Sequence, residues 1–464
     1  MIRADHSDCH EGPHSADVDR QPLTEQDAVA HVHCICFKTG PPQRVGVELE
    51  WLVHDARDPC LPVEQARTSA ALAGLDAPGA LPAGSCLTTE PGGQLELSSQ
   101  PAAGIADCVT AVKQDMAAVT EAMQAAGLRL SGYGLDPFRP PLRVVNAPRY
   151  VAMEEFFDRS GPAGRIMMCN TASVQVCLDA GEDGSGTQSH SWRWRVLHAI
   201  GPVLVAAFAN SPLREGRPTG WRSTRQAVWA QLDPGRTRPP PGTRVPSTST
   251  DLRARWAQYA LDAELLCIRR RGSGSWTAPP DLTFRAWLRG TDSGLSLPGD
   301  AGQRRPTLDD LEYHLSTLFP PVRPRGHLEL RVIDAQPGDG WVVPAAVAWA
   351  LLRDPQAGDA ALAATEPLWS GRGDASWSGR GDASWSGRGD ASWSGFRSPW
   401  LRGARNGLAD PDIARAARAC FAAAESALRR SAAADHLLRA VADFTERYVQ
   451  RDRCPADDLL EEIA

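Results

Sequence analysis

Lysine is almost missing from this chain: of 49 basic residues only Lys38 and Lys113 are lysine, and the rest are arginine. A site that grips phosphate here must use arginine, backbone N–H groups or metal, because no GxxxxGKS/T loop supplies the usual lysine. No GxGxxG follows a strand, so the dinucleotide fingerprint is also absent. Positive charge is not in surplus. The formal net charge of −7 gives no attraction to nucleic acid or to an anionic membrane surface. Long apolar runs are missing too, since the most apolar stretch, Val196 to Ala209, is short and contains Gly201-Pro202. It predicts a buried helix rather than a membrane span. The N-terminus lacks the apolar core of a secretory signal. The 11 cysteines are odd in number and scattered, which predicts free thiols in a reducing cytoplasm.

What is present is enough length, 464 residues, to bury a large core. Residues 1–24 have no apolar periodicity and are expected to form a disordered tail. His31, His33, Cys34 and Cys36 match no zinc spacing and predict a helix end running into a loop. Strands are expected at Arg44–Val53, near Gln94–Ser98, at Ala172–Leu178 and at His327–Ile333. Ile105, Cys108, Val109, Val112, Met116, Val119 and Met123 recur at helical spacing, and Gly127 supplies a stop. Further helices are predicted over Trp192–Asn210, after Thr307, and through the C-terminal third, where Asp410-Pro411 makes a cap and first-turn pair. Residues 371–394 are three copies of GRGDASWS, a composition that cannot build a core. They are expected to be a flexible insertion within a single catalytic domain over 25–455.

The strands carry the chemistry, because residues two apart share a face. Val45, Val47, Leu49 and Trp51 point one way, and Glu48 and Glu50 the other. Leu95 and Leu97 oppose Gln94, Glu96 and Ser98. Val174 and Val176 oppose Gln175 and Cys177, while Leu328 and Leu330 oppose Glu329 and Arg331. A half-buried antiparallel sheet with a solvated outer face explains the alternation alone. It does not explain the choice of acids, since glutamates at i and i+2 repel one another. Were these strands neighbours, four glutamates would converge, and cations would have to neutralise them. Oxygen-only ligands select Mg²⁺ or Mn²⁺. On that reading, losing the charge of either Glu48 or Glu329 would relieve repulsion and leave the fold intact. Arg222, Arg225, Arg323, Arg325 and Arg331 cluster beside apolar runs. A surface of metal and arginine suits a transferring phosphoryl group, which needs positioning and charge neutralisation more than a nucleophile.

The set Arg44-Val-Gly-Val-Glu-Leu-Glu50, Glu90-Pro-Gly-Gly-Gln-Leu-Glu-Leu-Ser98, Thr171-Ala-Ser-Val-Gln-Val176, Ala209-Asn-Ser-Pro212, Tyr313 to Arg323 and Leu328-Glu-Leu-Arg331 resembles plant-type glutamate–cysteine ligase. The C-terminal helices, with Cys454-Pro-Ala-Asp-Asp, are most similar to its actinobacterial branch, which supplies γ-glutamylcysteine for ergothioneine synthesis. The resemblance implies an α+β fold, a glutamine-synthetase-like curved antiparallel β-sheet forming a funnel with helices packed on its outer face. It implies that ATP phosphorylates the γ-carboxylate of L-glutamate and that the amine of L-cysteine displaces phosphate. Motif by motif, Glu48, Glu50, Glu90, Glu96 and Glu329 become metal ligands. Arg225, Arg323 and Arg331 become ATP contacts, with Arg225 and Arg331 serving catalysis, and Arg149 and Gln175 bind substrate. Two departures stand out: Cys177 replaces a usual Asn, and the GRGDASWS insertion has no counterpart. Competing readings are a ligase of the same fold with another amine acceptor and a non-catalytic binding protein. A metal-dependent hydrolase is disfavoured because no histidine accompanies the acids.

Overall fold

The computed structural model of the protein describes residues 23–240, 251–270, 274–290, 304–369 and 398–463, apart from residues 76, 78 and 432. Nearly all of the expected N-terminal tail and the whole GRGDASWS insertion lie outside these described residues. Among the described residues, nine strands run in chain order: β1 (Val45–Asp55), β2 (Cys86–Thr89), β3 (Leu95–Ser98), β4 (Leu128–Ser131), β5 (Ser173–Asp179), β6 (Leu213–Arg214), β7 (Arg217–Pro218), β8 (Val322–Pro324) and β9 (His327–Asp334). Seven of them form one sheet, with a path β2-β3-β1-β5-β9-β8 and β4 pairing the far end of β1. Every pairing in it is antiparallel. β6 and β7 make a separate short hairpin.

The apolar parity predicted for the strands is the core face. Val45, Val47, Leu49, Leu95, Leu97, Val174, Val176, Leu328, Leu330 and Val332 join one buried cluster. Helices Ile105–Ala125, His190–Ala207, Val342–Arg353 and Pro411–Arg430 pack into the same cluster. Ile105–Ala125 buries Ile105, Cys108, Val109, Val112, Val119 and Met123 of the predicted stripe, and Met116 is half-buried. Asp410 caps Pro411–Arg430 by accepting from the N–H groups of Asp412 and Ile413. Thr307 and Asp310 form a reciprocal capping box on Leu308–Leu315.

The element boundaries differ from expectation in instructive places. His190–Ala207 begins at the Ser189 cap and carries Pro202 inside it. Gly201 beside that proline leaves room for the indole of Trp400, where an added methyl group would collide with the ring. The segment with His31, His33, Cys34 and Cys36 is, as expected, the end of a helix, Glu25–Cys36, and its His31 pairs with Glu312 at 2.9 Å. β2, β4 and β8 are three or four residues long, too short for alternation to stand out. A second core cluster gathers Tyr150, Phe156, Phe157, Met167 and Val228, with Trp229, Tyr313 and Phe319 packed against it.

Candidate active site

The register brings the polar parities of five strands together. Glu50 lies opposite Glu96, and Glu48 lies opposite Gln175. Cys177 lies opposite Glu329, which lies opposite Arg323 on its other side. β9 carries an extra residue where β5 runs from Val174 to Val176, so Gln175 alone faces both Arg331 and Val332. From there its amide spans the face. Nε2 donates to Glu50 Oε1 at 2.9 Å and Oε1 accepts from Arg331.

The glutamates of this face occupy two opposite electrostatic states. Glu329 is fully buried and accepts from Arg323 Nη2 at 2.9 Å and Nε at 3.1 Å, and also from Arg331. Arg325 stands 4.0 Å away. Burial alone would push the Glu329 carboxyl up, but Arg323, Arg331 and Arg325 hold it far below the ordinary range. Glu48 is pushed up to about 8, by burial first and then by Glu329 and Glu96. It accepts from the Cys177 thiol, 3.9 Å away. Glu50 is pushed up to about 7, by burial and then by Glu90. Glu96 accepts from Thr88 at 3.1 Å and Ser98 at 3.3 Å. The expectation that all these acids repel alike is therefore corrected for Glu329, which is neutralised by arginine.

Glu90 heads the turn from β2 to β3 and owes its place to that turn. Gln94 anchors the turn by donating to the carbonyls of Met168 at 3.1 Å and Thr171 at 2.9 Å. Gly92 permits the approach, since a Cβ there would strike the backbone of Cys169.

Arg323 and Arg331 stand on β8 and β9, and Arg225 enters from beside the second core cluster. Arg225 sits in the helix Thr224–Trp229, capped by Ser223. Its Nη2 donates to the Arg331 carbonyl at 2.9 Å, its Nη1 stands 3.8 Å from Asp334, and its Nε and Nη1 have no hydrogen-bond partner. Trp229 lies 6.0 Å from the Arg225 guanidinium, and Phe319 lies 5.8 Å from that of Arg331. Arg149 reaches this group through Ser316. It donates to the Ser316 hydroxyl and carbonyl, both at 2.9 Å, and rests 5.2 Å from the Tyr313 ring centre. Arg323 donates to the same carbonyl at 3.4 Å. Glu48, Glu50, Glu96, Gln175, Glu329, Arg225, Arg323 and Arg331 thus meet on one face, with Glu90 at its edge and Arg149 one residue removed.

Sequence reasoning missed Asp334, which is buried and accepts from the Asn210 N–H at 2.9 Å, Ser211 at 2.7 Å and Ser223 at 2.9 Å. A signal was there. By number Asp334 shares the parity of Leu328, Leu330 and Val332, where an acid must find partners, and the β9 bulge turns it to the polar face opposite Ser173. Ser316, Phe319 and Trp229 gave no such signal, because their sequence neighbourhoods are apolar or helical.

Among the described residues, no three His, Cys, Asp or Glu side chains stand together in a geometry that would hold a metal ion. The donor set is nonetheless all carboxylate, and its half-buried Glu48 and Glu50 are raised by burial and neighbouring acids, which suits an oxygen-ligating cation. Cys177 offers no thiolate, since burial, Glu48 and Glu329 push its thiol far up. The cysteines among the described residues are all free. No helix among the described residues is long and apolar enough to cross a membrane.

Comparison with known proteins bears on this arrangement. The family model for glutamate-cysteine ligase family 2 (GCS2) matches residues 44–376. The chain is 36% identical over 445 residues to the glutamate–cysteine ligase EgtA of Mycobacterium tuberculosis, covering 95% of this chain and 91% of that one. It is 36% identical over 448 residues to EgtA of Mycolicibacterium smegmatis, covering 94% and 91%. The chloroplastic glutamate–cysteine ligase A of Oryza sativa is 29% identical over 332 residues, covering 68% and 64%. The residues that span β1, the Glu90 turn, β5 and β9 all fall inside the matched region, and this chain belongs to glutamate–cysteine ligase family 2.

Proposed function

We propose that this glutamate–cysteine ligase uses ATP to activate the γ-carboxylate of L-glutamate on the acidic face, then joins it to the amine of L-cysteine in the cytoplasm. The product is γ-glutamylcysteine, and the similarity to the two EgtA enzymes supports ergothioneine synthesis as its destination. The observation that carries the mechanism is the chain Glu50, Gln175, Arg331, Glu329 and Arg323, in which buried carboxylates and guanidinium groups alternate. Such a surface neutralises a phosphoryl group in flight but offers no nucleophile–base pair for a covalent enzyme intermediate.

Glu48, Glu50, Glu90 and Glu96 would hold Mg²⁺ or Mn²⁺, with Glu329 joining them on release from arginine. A bound cation would supply charge neutralisation to the phosphate oxygens. Arg331 and Arg225 meet the transferring phosphoryl group, and the free Nε and Nη1 of Arg225 suit an anionic oxygen. Arg323 keeps Glu329 and the Ser316 carbonyl in place and lends charge to the ATP phosphates. Gln175 orients glutamate, and Arg149 with Ser316 faces a substrate carboxylate. On this reading residues 25–455 form one catalytic unit, and the polar face is the inner wall of a glutamine-synthetase-like funnel.

Isotope transfer tests the route. With ¹⁸O in the γ-carboxylate of glutamate, one label should reach released phosphate for each peptide bond, alongside ADP. Arg331→Ala should depress kcat far more than it raises the KM for cysteine. Formation of AMP and pyrophosphate, or unlabelled phosphate, sinks the scheme. Turnover with other amines in preference to cysteine redirects the acceptor assignment.

A further inference from the structure

We propose that Asp334 is a positioning residue for ligation, acting through Arg225. The inference rests on the reading above, in which Arg225 meets the transferring phosphoryl group. Asp334 is the last residue of β9, three positions beyond Arg331, and it is buried opposite Ser173, on the parity of Gln175. Its carboxylate is the hub on which the N-terminal end of the Arg225 helix is mounted. One oxygen accepts from the Asn210 N–H at 2.9 Å and from the Ser211 hydroxyl at 2.7 Å. The other accepts from the Ser223 hydroxyl at 2.9 Å and faces Arg225 Nη1 at 3.8 Å.

Both serines hand this hold on to the helix. Ser211 Oγ accepts from the Arg225 backbone N–H at 3.1 Å, and Ser223 Oγ accepts from the Gln226 N–H at 3.2 Å. The backbone and the guanidinium of Arg225 are thus both referred to one carboxylate. Room for it is made by Gly134, whose added Cβ would meet the Asp334 carboxyl carbon at 2.5 Å. The remaining contact of the guanidinium, to the Arg331 carbonyl, ties the same group to the strand that carries Arg331. Asp334 therefore sets the distance between two arginines and holds Arg225 with a counter-charge. A guanidinium already oriented loses less freedom when it meets charge in the transition state, which is where such an interaction acts on kcat.

A double-mutant cycle on the purified full chain, read as steady-state kinetics, tests this. Asp334→Asn keeps acceptors for the Asn210 N–H and a serine hydroxyl but removes the charge. It should lower kcat at least tenfold, with the KM values for glutamate and cysteine within about twofold of the parent. Arg225→Met should lower kcat by more. In the Arg225→Met background, Asp334→Asn should add less than a twofold loss, because its effect runs through the arginine already removed. If Arg225→Met alone retains kcat, the functional reading of Arg225 fails and this inference with it. If Arg225→Met is impaired and Asp334→Asn multiplies that loss in full, only the positioning role is overturned. Should Asp334→Asn not fold, Ser211→Ala cuts the same link from the helix side. It must then show a kcat loss that vanishes in the Arg225→Met background, and an equal loss in both backgrounds overturns the inference.

Discussion

Glu48→Gln and Glu329→Gln remove the same charge from the same face, yet in metal-free protein they should move stability in opposite directions. Glu48 is raised in the folded protein from 4.5 to about 8. A raised acid binds more protons folded than unfolded, so its contribution is favourable below pH 4.5 and is lost as pH rises through that window. At pH 8 the cost reaches an upper limit of about 4 kcal/mol, which glutamine abolishes while keeping an oxygen for the Cys177 thiol. Glu329 is the reverse. Arg323 and Arg331 both donate to it in a site without water-facing surface, and a neutral amide leaves two guanidinium groups underpaired. Breaking such a buried pair from one side costs about 3–5 kcal/mol. A chain of 464 residues unfolds with an entropy on the order of 1 kcal/mol/K, so each kcal/mol shifts Tm by about 1 °C.

The assay is thermal unfolding at pH 8 with a chelator present. Glu48→Gln should melt up to about 4 °C above the parent, and Glu329→Gln about 3–5 °C below it. Lowering the pH to 4.5 should erase most of the Glu48→Gln advantage, because the parent side chain is then largely protonated when folded. Both variants should lose ligation. Shifts of the same sign, or a Glu48→Gln gain that persists unchanged into acid, would refute the assignment of opposite states to the two glutamates.

His314 and Gly201 give two further expectations. Burial holds the His314 imidazole down to about 3, with one nitrogen donating to the Ala260 carbonyl at 2.8 Å. A depressed base charges first in the unfolded chain, so stability is present above pH 6.5 and lost as pH falls toward 3. The loss reaches about 3 kcal/mol by pH 4. His314→Asn should flatten the parent's fall in stability over that range, and an unchanged slope would contradict it. Gly201→Ala should lower Tm through collision with the Trp400 ring, by about 1–3 kcal/mol of stability, and Trp400→Leu in the same chain should restore part of it. A melting curve unaffected by Gly201→Ala would show that the two helices adjust freely.

Much of the site could be read from alternation alone. Glu48, Glu50, Glu96, Gln175, Glu329 and Arg331 each stand on the polar parity of a strand whose other parity is apolar, and β geometry converts that spacing into a shared face. The helix Ile105–Ala125 and the Asp410 cap were legible for the same reason, because each is a short-range pattern with a local physical cause. Arg149 was harder. Its motif marks it for substrate, while its guanidinium in the folded chain is engaged by Ser316, a residue far away in sequence.

Pairing lay beyond the sequence, because no local rule states which strands become neighbours. The sequence by itself determined which side chains share a face, how the strands and helices are punctuated, and that phosphate must be met by arginine in a chain with two lysines. Only the tertiary structure decided that Glu329 lies between Arg323 and Arg331 while Glu48 faces Cys177 and other acids. It also decided that Asp334, turned to the polar face by the β9 bulge, collects Ser211, Ser223 and Arg225. The charge state of a buried carboxylate depends on partners brought within a few ångströms by strands far apart in the chain, and that dependence exists only once the sheet has formed.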